Sequence, residues 1–208
     1  ARLLGGAGLP VPEQLEFERR SKPAALEFLE RKEGPCVVKP AGGTSGGLGT
    51  TSGISSAPQL ARAVLRASRF GTRLAIERQA PGTVYRLLFL EGELLDILLR
   101  RPPRVTGDGR TRIGDLIAAE NRRRIAGGGN TRLMLVSIDL DCIFTLAAAG
   151  LTLDSVLPEG MTVAVKTVTN QSGAQDTETG RDDVSPELIA EAASAANLGG
   201  VNLAGGGV

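Results

Sequence analysis

Lys39 closes a short apolar run, Cys36-Val37-Val38, and is followed by Pro40 and a glycine-rich stretch from Ala41 to Gly49. A lysine at a strand end sets a point charge against phosphate oxygens. Glycines offer backbone N–H groups with no Cβ in the way. The candidate phosphate-binding residues are therefore Lys39, Gly43, Thr44, Ser45, Gly46, Gly47 and Gly49. The order is not that of a Walker A loop, where the lysine follows the glycines, nor that of a dinucleotide fingerprint, since no helix clearly opens on the last glycine. Taken alone, the loop suits a plain flexible hairpin equally well, and Lys39 a solvated strand end.

The elements that must hold these residues are readable from period and punctuation. Pro23 to Lys32 has a helical apolar face, ended by Gly34-Pro35. Cys36 to Val38 is a buried strand, and Thr50 to Ile54 is a candidate second one. A helix from Ser56 or Ala57 to Ser68 aligns Leu60, Ala63, Val64 and Ala67. Arg73 to Arg78 alternates as a strand, and Val84–Leu90 with Glu93–Arg100 forms a hairpin turning at Gly92. Val105 to Arg110 (VTGDGR) reads as a turn, Ile113 to Asn121 as a helix, and Arg122 to Asn130 as a polar loop. Asp139 to Ala149 is predicted helical, Met161 to Val168 a strand, Asn170 to Asp183 a long polar loop, and Ser185 to about Ala196 a helix capped by Ser185. Mixed elements with a hairpin favour an α+β fold.

Composition narrows the chemistry. The chain has 208 residues, 41% hydrophobic and 23% charged, as ordinary folded domains do. Aromatics are 3% and the net charge is +1, so neither stacking nor bulk charge points to nucleic acid. There is no histidine, which removes imidazole bases and imidazole metal sites. The two cysteines, Cys36 and Cys142, sit among apolar residues and read as reduced core thiols. No apolar run approaches the ~18 residues of a membrane span, so no membrane partner and a cytoplasmic setting are expected. A homo-oligomer is left open. The abrupt ARLLGG start and NLAGGGV finish read as the ends of a piece of a longer chain.

The order of features carries further. GPCVVKPAGG is followed by LAIERQAPGTVYRLLFLEGELL, then by VTGDG with an IGDLI helix and AEN, then by AGLTLDSVLPEG and NQSGAQDTETGRDDVSPEL. In this order the chain resembles the ATP-grasp superfamily, and within it the ATP-grasp region of cyanophycin synthetase-type ligases, with bifunctional glutathione synthetases as relatives. The resemblance implies an α+β ATP-grasp fold with two lobes clasping nucleotide: residues 1–22 leading in from an upstream region, 23–82 a small lid lobe, 83–208 a large lobe. It implies a carboxylate–amine ligase acting on an amino acid or peptide through an acyl-phosphate, with ATP and Mg²⁺ as cofactors.

Carried onto this sequence, the resemblance implies that Lys39 contacts the adenine and the α- and β-phosphates, and that Gly43 to Gly49 covers the β- and γ-phosphates. Glu77, with the backbone of Gln79 and Ala80, would hold the adenine edge. Arg86 and Arg100 would face the γ-phosphate or the acyl-phosphate as catalytic residues. The departures are specific. Val84 stands where the family carries an acid, the loop lacks the family's arginine, and Asn202 replaces the first Mg²⁺ carboxylate. Other readings stay open: a degenerate module that binds nucleotide without turnover, or an interaction domain. Glu77 could pair with Arg78, and Arg86 or Arg100 with Glu91, Glu93 or Asp96. Asp108 reads as a turn residue, Asp139 and Asp141 as helix caps, and Arg122 to Arg124 as a solvated helix end.

Overall fold

The computed structural model describes residues 2–31, 34–44, 47–127, 135–169, 176–180, 183–198 and 203–207. In chain order the elements are α1 (Arg2–Gly6), β1 (Gln14–Glu18), α2 (Lys22–Glu30), β2 (Cys36–Pro40), β3 (Thr51–Ile54), α3 (Ala57–Ala67), β4 (Arg73–Arg78), β5 (Val84–Leu90), β6 (Glu93–Arg101), β7 (Arg104–Thr106), α4 (Ile113–Ala126), α5 (Leu140–Ala148), β8 (Thr162–Ala164), β9 (Asp176–Thr179), α6 (Pro186–Leu198) and β10 (Leu203–Gly207). The fold is α+β. It forms two compact units, each discontinuous in sequence: Glu13–Gln79 with Pro102–Gln175, and Ala1–Pro12 with Ala80–Arg101 and Asp176–Val208.

The larger unit is built on an antiparallel sheet of order β1-β4-β2-β3. Strand side chains alternate between faces. Cys36, Val38, Leu74 and Ile76 therefore turn to one side, where they pack with Ala25, Phe28 and Leu29 of α2 and Leu60, Ala63, Val64 and Ala67 of α3. The helical spacing of those α3 residues is what lets one helix cover the strands. Arg78 ends β4 by donating from Nη2 to the Phe28 carbonyl at 2.7 Å while its guanidinium lies 4.7 Å from the Phe28 ring centre. The rest of this unit has its own core, with Val105, Ile113, Ile117, Cys142, Leu146 and Leu157 buried together.

A polar network ties these two parts. Asp141 is 1% exposed and accepts from the Thr167 N–H at 3.2 Å and the Val168 N–H at 3.1 Å, and from the N–H and hydroxyl of Ser52 on β3. The carboxylate is thus stabilised by hydrogen bonds rather than by solvent. Asp139 caps α5, accepting from the Cys142 N–H at 3.1 Å, and pairs with both Lys166 at 2.7 Å and Arg66 at 2.9 Å. Burial alone would raise the Asp139 carboxyl, but Lys166, the cap and Arg66 outweigh it and hold the group below its ordinary range.

The smaller unit is a four-stranded antiparallel sheet of order β10-β5-β6-β9. Its central hairpin turns through Glu91 and Gly92, at φ 50° and 86°. Positive φ at both turn residues matches the twist of the flanking strands. Leu87, Phe89 and Ile97 face α6, where Leu188, Ile189, Ala192 and Ala193 complete the core.

Several sequence expectations need correction. α4 runs on through Ala126 instead of yielding to a loop at Arg122. Arg123 and Arg124 both bond Glu120, one helical turn back, and Arg124 is buried rather than solvated. Asp141 is a buried junction, not a cap. VTGDGR opens as a strand, β7, before Asp108 makes the turn by accepting from the Arg110 and Thr111 N–H groups. The strand expected over Met161 to Val168 stops at Ala164, because Thr167 and Val168 turn their N–H groups to Asp141. The loop expected over Asn170 to Asp183 contains β9, paired to β6; its residues 170–175 and 181–182 lie outside those described.

Two stability outcomes follow from the network. Asp141→Ala strands the Ser52, Thr167 and Val168 donors and is expected to cost about 3 kcal/mol, read from the urea midpoint at neutral pH. A depressed carboxyl stabilises the fold above its unfolded pKa, about 3.9, and that stability is lost as pH falls through the lower folded value. Asp139→Asn is therefore expected to flatten the acid limb of stability below about pH 4, measured by thermal melts across a pH series.

Candidate functional site

Lys39 and Glu77 meet because of sheet register. Lys39 lies opposite Ala75, and Val37 opposite Glu77, in the antiparallel β2–β4 ladder. Lys39 and Glu77 are thus diagonal neighbours on one face, within reach for long side chains. Their ion pair is 2.7 Å, with the lysine side chain 38% exposed and the glutamate 17%. A pair that open to solvent contributes little stability. Its effect is to aim the ammonium along the sheet face, and Glu77 pairs with Lys39 rather than with its neighbour Arg78.

The glycine loop leaves β2 through Ala41, whose N–H bonds the Arg73 carbonyl at 2.9 Å. Gly43 and Gly47 have φ of 76° and 74°, a left-handed backbone that costs glycine nothing. A Cβ at Gly43 would meet no atom within 4 Å, so the glycine there serves backbone shape and open access. Thr44 is half-buried. Ser45 and Gly46 lie outside the described residues. The loop returns through a Thr50 N–H to Gly47 carbonyl bond of 3.2 Å.

Gln79 is busier than sequence suggests. Its side-chain oxygen accepts from the Gly53 N–H at 2.9 Å, and its own N–H donates to the Pro35 carbonyl at 3.0 Å. The residue braces the end of the sheet. Of the backbone that the resemblance assigns to an adenine edge, the Gln79 N–H is already engaged. The chain passes from the larger to the smaller unit between Gln79 and Ala80, and Ala80 is exposed.

In the smaller unit, Arg86 lies opposite Leu98 in the β5–β6 ladder, which makes Arg100 its diagonal neighbour. Both stand on the sheet face opposite the α6 core. The Arg100 guanidinium is held below its ordinary pKa, first by burial and then by the Arg86 charge. Two cations placed as diagonal neighbours raise the local positive potential on this face. The structure thus gathers Lys39 with Glu77, and Arg86 with Arg100, each pair inside its own unit.

Metal ligands are a different matter. Among the described residues no group of three or more Cys, Asp or Glu side chains is placed to hold an ion. Asn202 lies outside the described residues. Among the described residues there is thus no ready-made cage of carboxylates for a divalent cation. No described helix is long and apolar enough to cross a membrane.

No family model matches the chain. It is 34% identical over 190 residues to the glutathione biosynthesis bifunctional protein GshAB of Mannheimia succiniciproducens, covering 89% of this chain and 25% of that protein. It is 28% identical over 213 aligned residues to the cyanophycin synthetase of Trichormus variabilis, covering 98% of this chain and 22% of that one. Against the crystal structure of a bifunctional glutathione synthetase from Pasteurella multocida the identity is 25% and the TM-score 0.48, over 99% of this chain and 28% of the other. The chain spans about a quarter of the length of the curated relatives it matches. Over nearly its whole length, the chain resembles a region of the cyanophycin synthetase-type and bifunctional glutathione-synthetase ligases of the ATP-grasp superfamily.

Proposed function

We propose that this chain is the nucleotide-binding segment of an ATP-dependent carboxylate–amine ligase. The observation that carries the reading is Lys39, aimed by Glu77 along the sheet face at the mouth of a loop with left-handed glycines. A half-exposed ammonium and unobstructed backbone N–H groups are what a phosphate chain requires. Arg86 and Arg100 supply a second positive locus for the charge that builds on a transferring phosphoryl group. The bond changes are those of acyl activation. A substrate carboxylate oxygen attacks the γ-phosphorus and ADP leaves. An amine nitrogen then attacks the acyl carbon, losing a proton as inorganic phosphate departs. The chain's residues neutralise charge and orient groups, a task that needs no histidine. An amino acid or peptide substrate, a Mg²⁺ requirement and a cytoplasmic setting belong to the same proposal. The substrate class is supported by the names of the relatives, and the setting by two buried free thiols.

A second reading, nucleotide binding without turnover, is favoured by one feature. Asn202 offers a neutral amide where the resemblance expects a carboxylate, a poorer partner for a hard dication.

Calorimetry with ATP separates these from a plain interaction domain. Lys39→Ala is expected to weaken ATP binding by about ten- to a hundredfold, the worth of one charge-assisted contact. An unchanged affinity would remove the nucleotide reading. Arg86→Ala and Arg100→Ala are expected to lower amino-acid-dependent ADP release by more than tenfold while leaving the affinity for ADP within about threefold. ADP release that is absent from the unaltered protein, with ATP binding intact, selects the second reading.

A further inference from the structure

The glycine loop rests on a residue that neither phosphate chemistry nor core packing calls for. Gly49, at the far end of the loop, has φ of 79°. A Cβ placed there would lie 2.7 Å from Cδ2 of Phe70 and 3.2 Å from Cγ of Pro40, inside van der Waals contact with both. The Phe70 ring therefore lies directly against the loop's return, and Pro40 brings the loop's start to the same spot. Gly71 extends the contact: a Cβ there would be 3.8 Å from Cβ of Pro40 and 4.0 Å from the Gly42 carbonyl oxygen. The Ala41 N–H to Arg73 carbonyl bond closes the arrangement. Both ends of the loop thus sit on Phe70 and Gly71, in the connection from α3 to β4, and on the first residue of β4, Arg73.

That seat is firm. Phe70 donates its N–H to the Ala67 carbonyl at 3.0 Å, and Ser68 its N–H to the Val64 carbonyl at 2.9 Å. Ala67 and Val64 belong to the buried core. Phe70 itself remains 40% exposed and belongs to no buried core cluster. A half-exposed aromatic pressed on a backbone that has given up its side chain is a fitted contact.

We propose that Phe70 is a positioning residue for the phosphate-binding loop: it fixes where Gly49 and Pro40 stand, and through Pro40 the adjacent Lys39. The inference rests on the nucleotide reading of Lys39 and its loop, and deepens it. The role of Phe70 is exerted on the loop backbone, at Gly49 and Pro40. Its removal lets the loop ends drift and withdraws pre-organisation chiefly from the phosphate chain of the nucleotide, which the loop and the Lys39 ammonium would hold.

The test compares ATP with adenosine, by calorimetry on the 208-residue chain, in Phe70→Ala, Phe70→Leu, Phe70→Tyr and Lys39→Ala. Phe70→Ala is expected to weaken ATP about tenfold and adenosine less than twofold, at a melting temperature near that of the unaltered chain. Phe70→Tyr keeps the ring and is expected to preserve the unaltered ratio of the two affinities. Phe70→Leu, which keeps an apolar side chain and so the fold, is expected to lower that ratio in the same direction. Three outcomes overturn the proposal. ATP affinity unchanged in both Phe70→Ala and Phe70→Leu, with Lys39→Ala weakened, removes the role of Phe70 and leaves the nucleotide site standing. Equal losses for ATP and adenosine make the residue a general structural one. An unchanged Lys39→Ala takes the site away and this inference with it.

Discussion

The antiparallel register of β2 against β4 is the constraint on which the rest depends. It sets Cys36, Val38, Leu74 and Ile76 on the helix-covered side. It therefore leaves Lys39 and Glu77 on the other, two residues out of step and within ion-pairing reach. A slip of one residue would exchange the two sets, burying a lysine and exposing a core valine. The apolar side cannot tolerate that exchange, so hydrophobic burial fixes the place of a charge that itself adds little to stability. The β5–β6 ladder repeats the logic: a leucine- and phenylalanine-rich side packed on α6 obliges Arg86 and Arg100 to share the opposite face.

Much of this was legible in the residues, for physical reasons that differ from element to element. α3 announced itself through four apolar positions at helical spacing, and β5 and β6 through apolar runs divided by Glu-Gly. Ser185 was legible as a cap, and the Leu188 N–H does bond its hydroxyl, at 3.3 Å. β9 was illegible because all four of its residues are exposed, so no alternation marks it. β10 carries three glycines and looks like a loop. Such strands exist only through their neighbours, which a local reading does not contain. The last turn of α4 hides behind three arginines, which locally suggest a solvated end, while Glu120 one turn back holds two of them in the helix.

The candidate site divides along the same line. Lys39, Glu77 and the left-handed glycines were visible because their chemistry is local. That Glu77 answers Lys39 and not Arg78, and that Gln79 spends its amide on Gly53 and Pro35, depends on pairing between strands. Phe70 gave no signal: one more phenylalanine at a helix end is unremarkable until Gly49 is found against its ring. Asp141 was a plausible cap, and its burial became apparent only when Ser52 and the 167–168 backbone converged on it.

The bond between Ser52 and Asp141 joins residues 89 positions apart, and the larger unit is interrupted by the hairpin between its two chain segments. During synthesis the first sheet, with its lysine and glycine loop, leaves the ribosome long before the carboxylate that closes the back of β3. The intervening hairpin must emerge, and stay out of the way, before that unit can be completed. The sheet that carries Lys39 is thus the earliest part of this unit to be made, and its bond from Ser52 to Asp141 is among the last to form. The strands and helices of that sheet precede the carboxylate, so the long-range bond is added to a sheet whose own residues are already made.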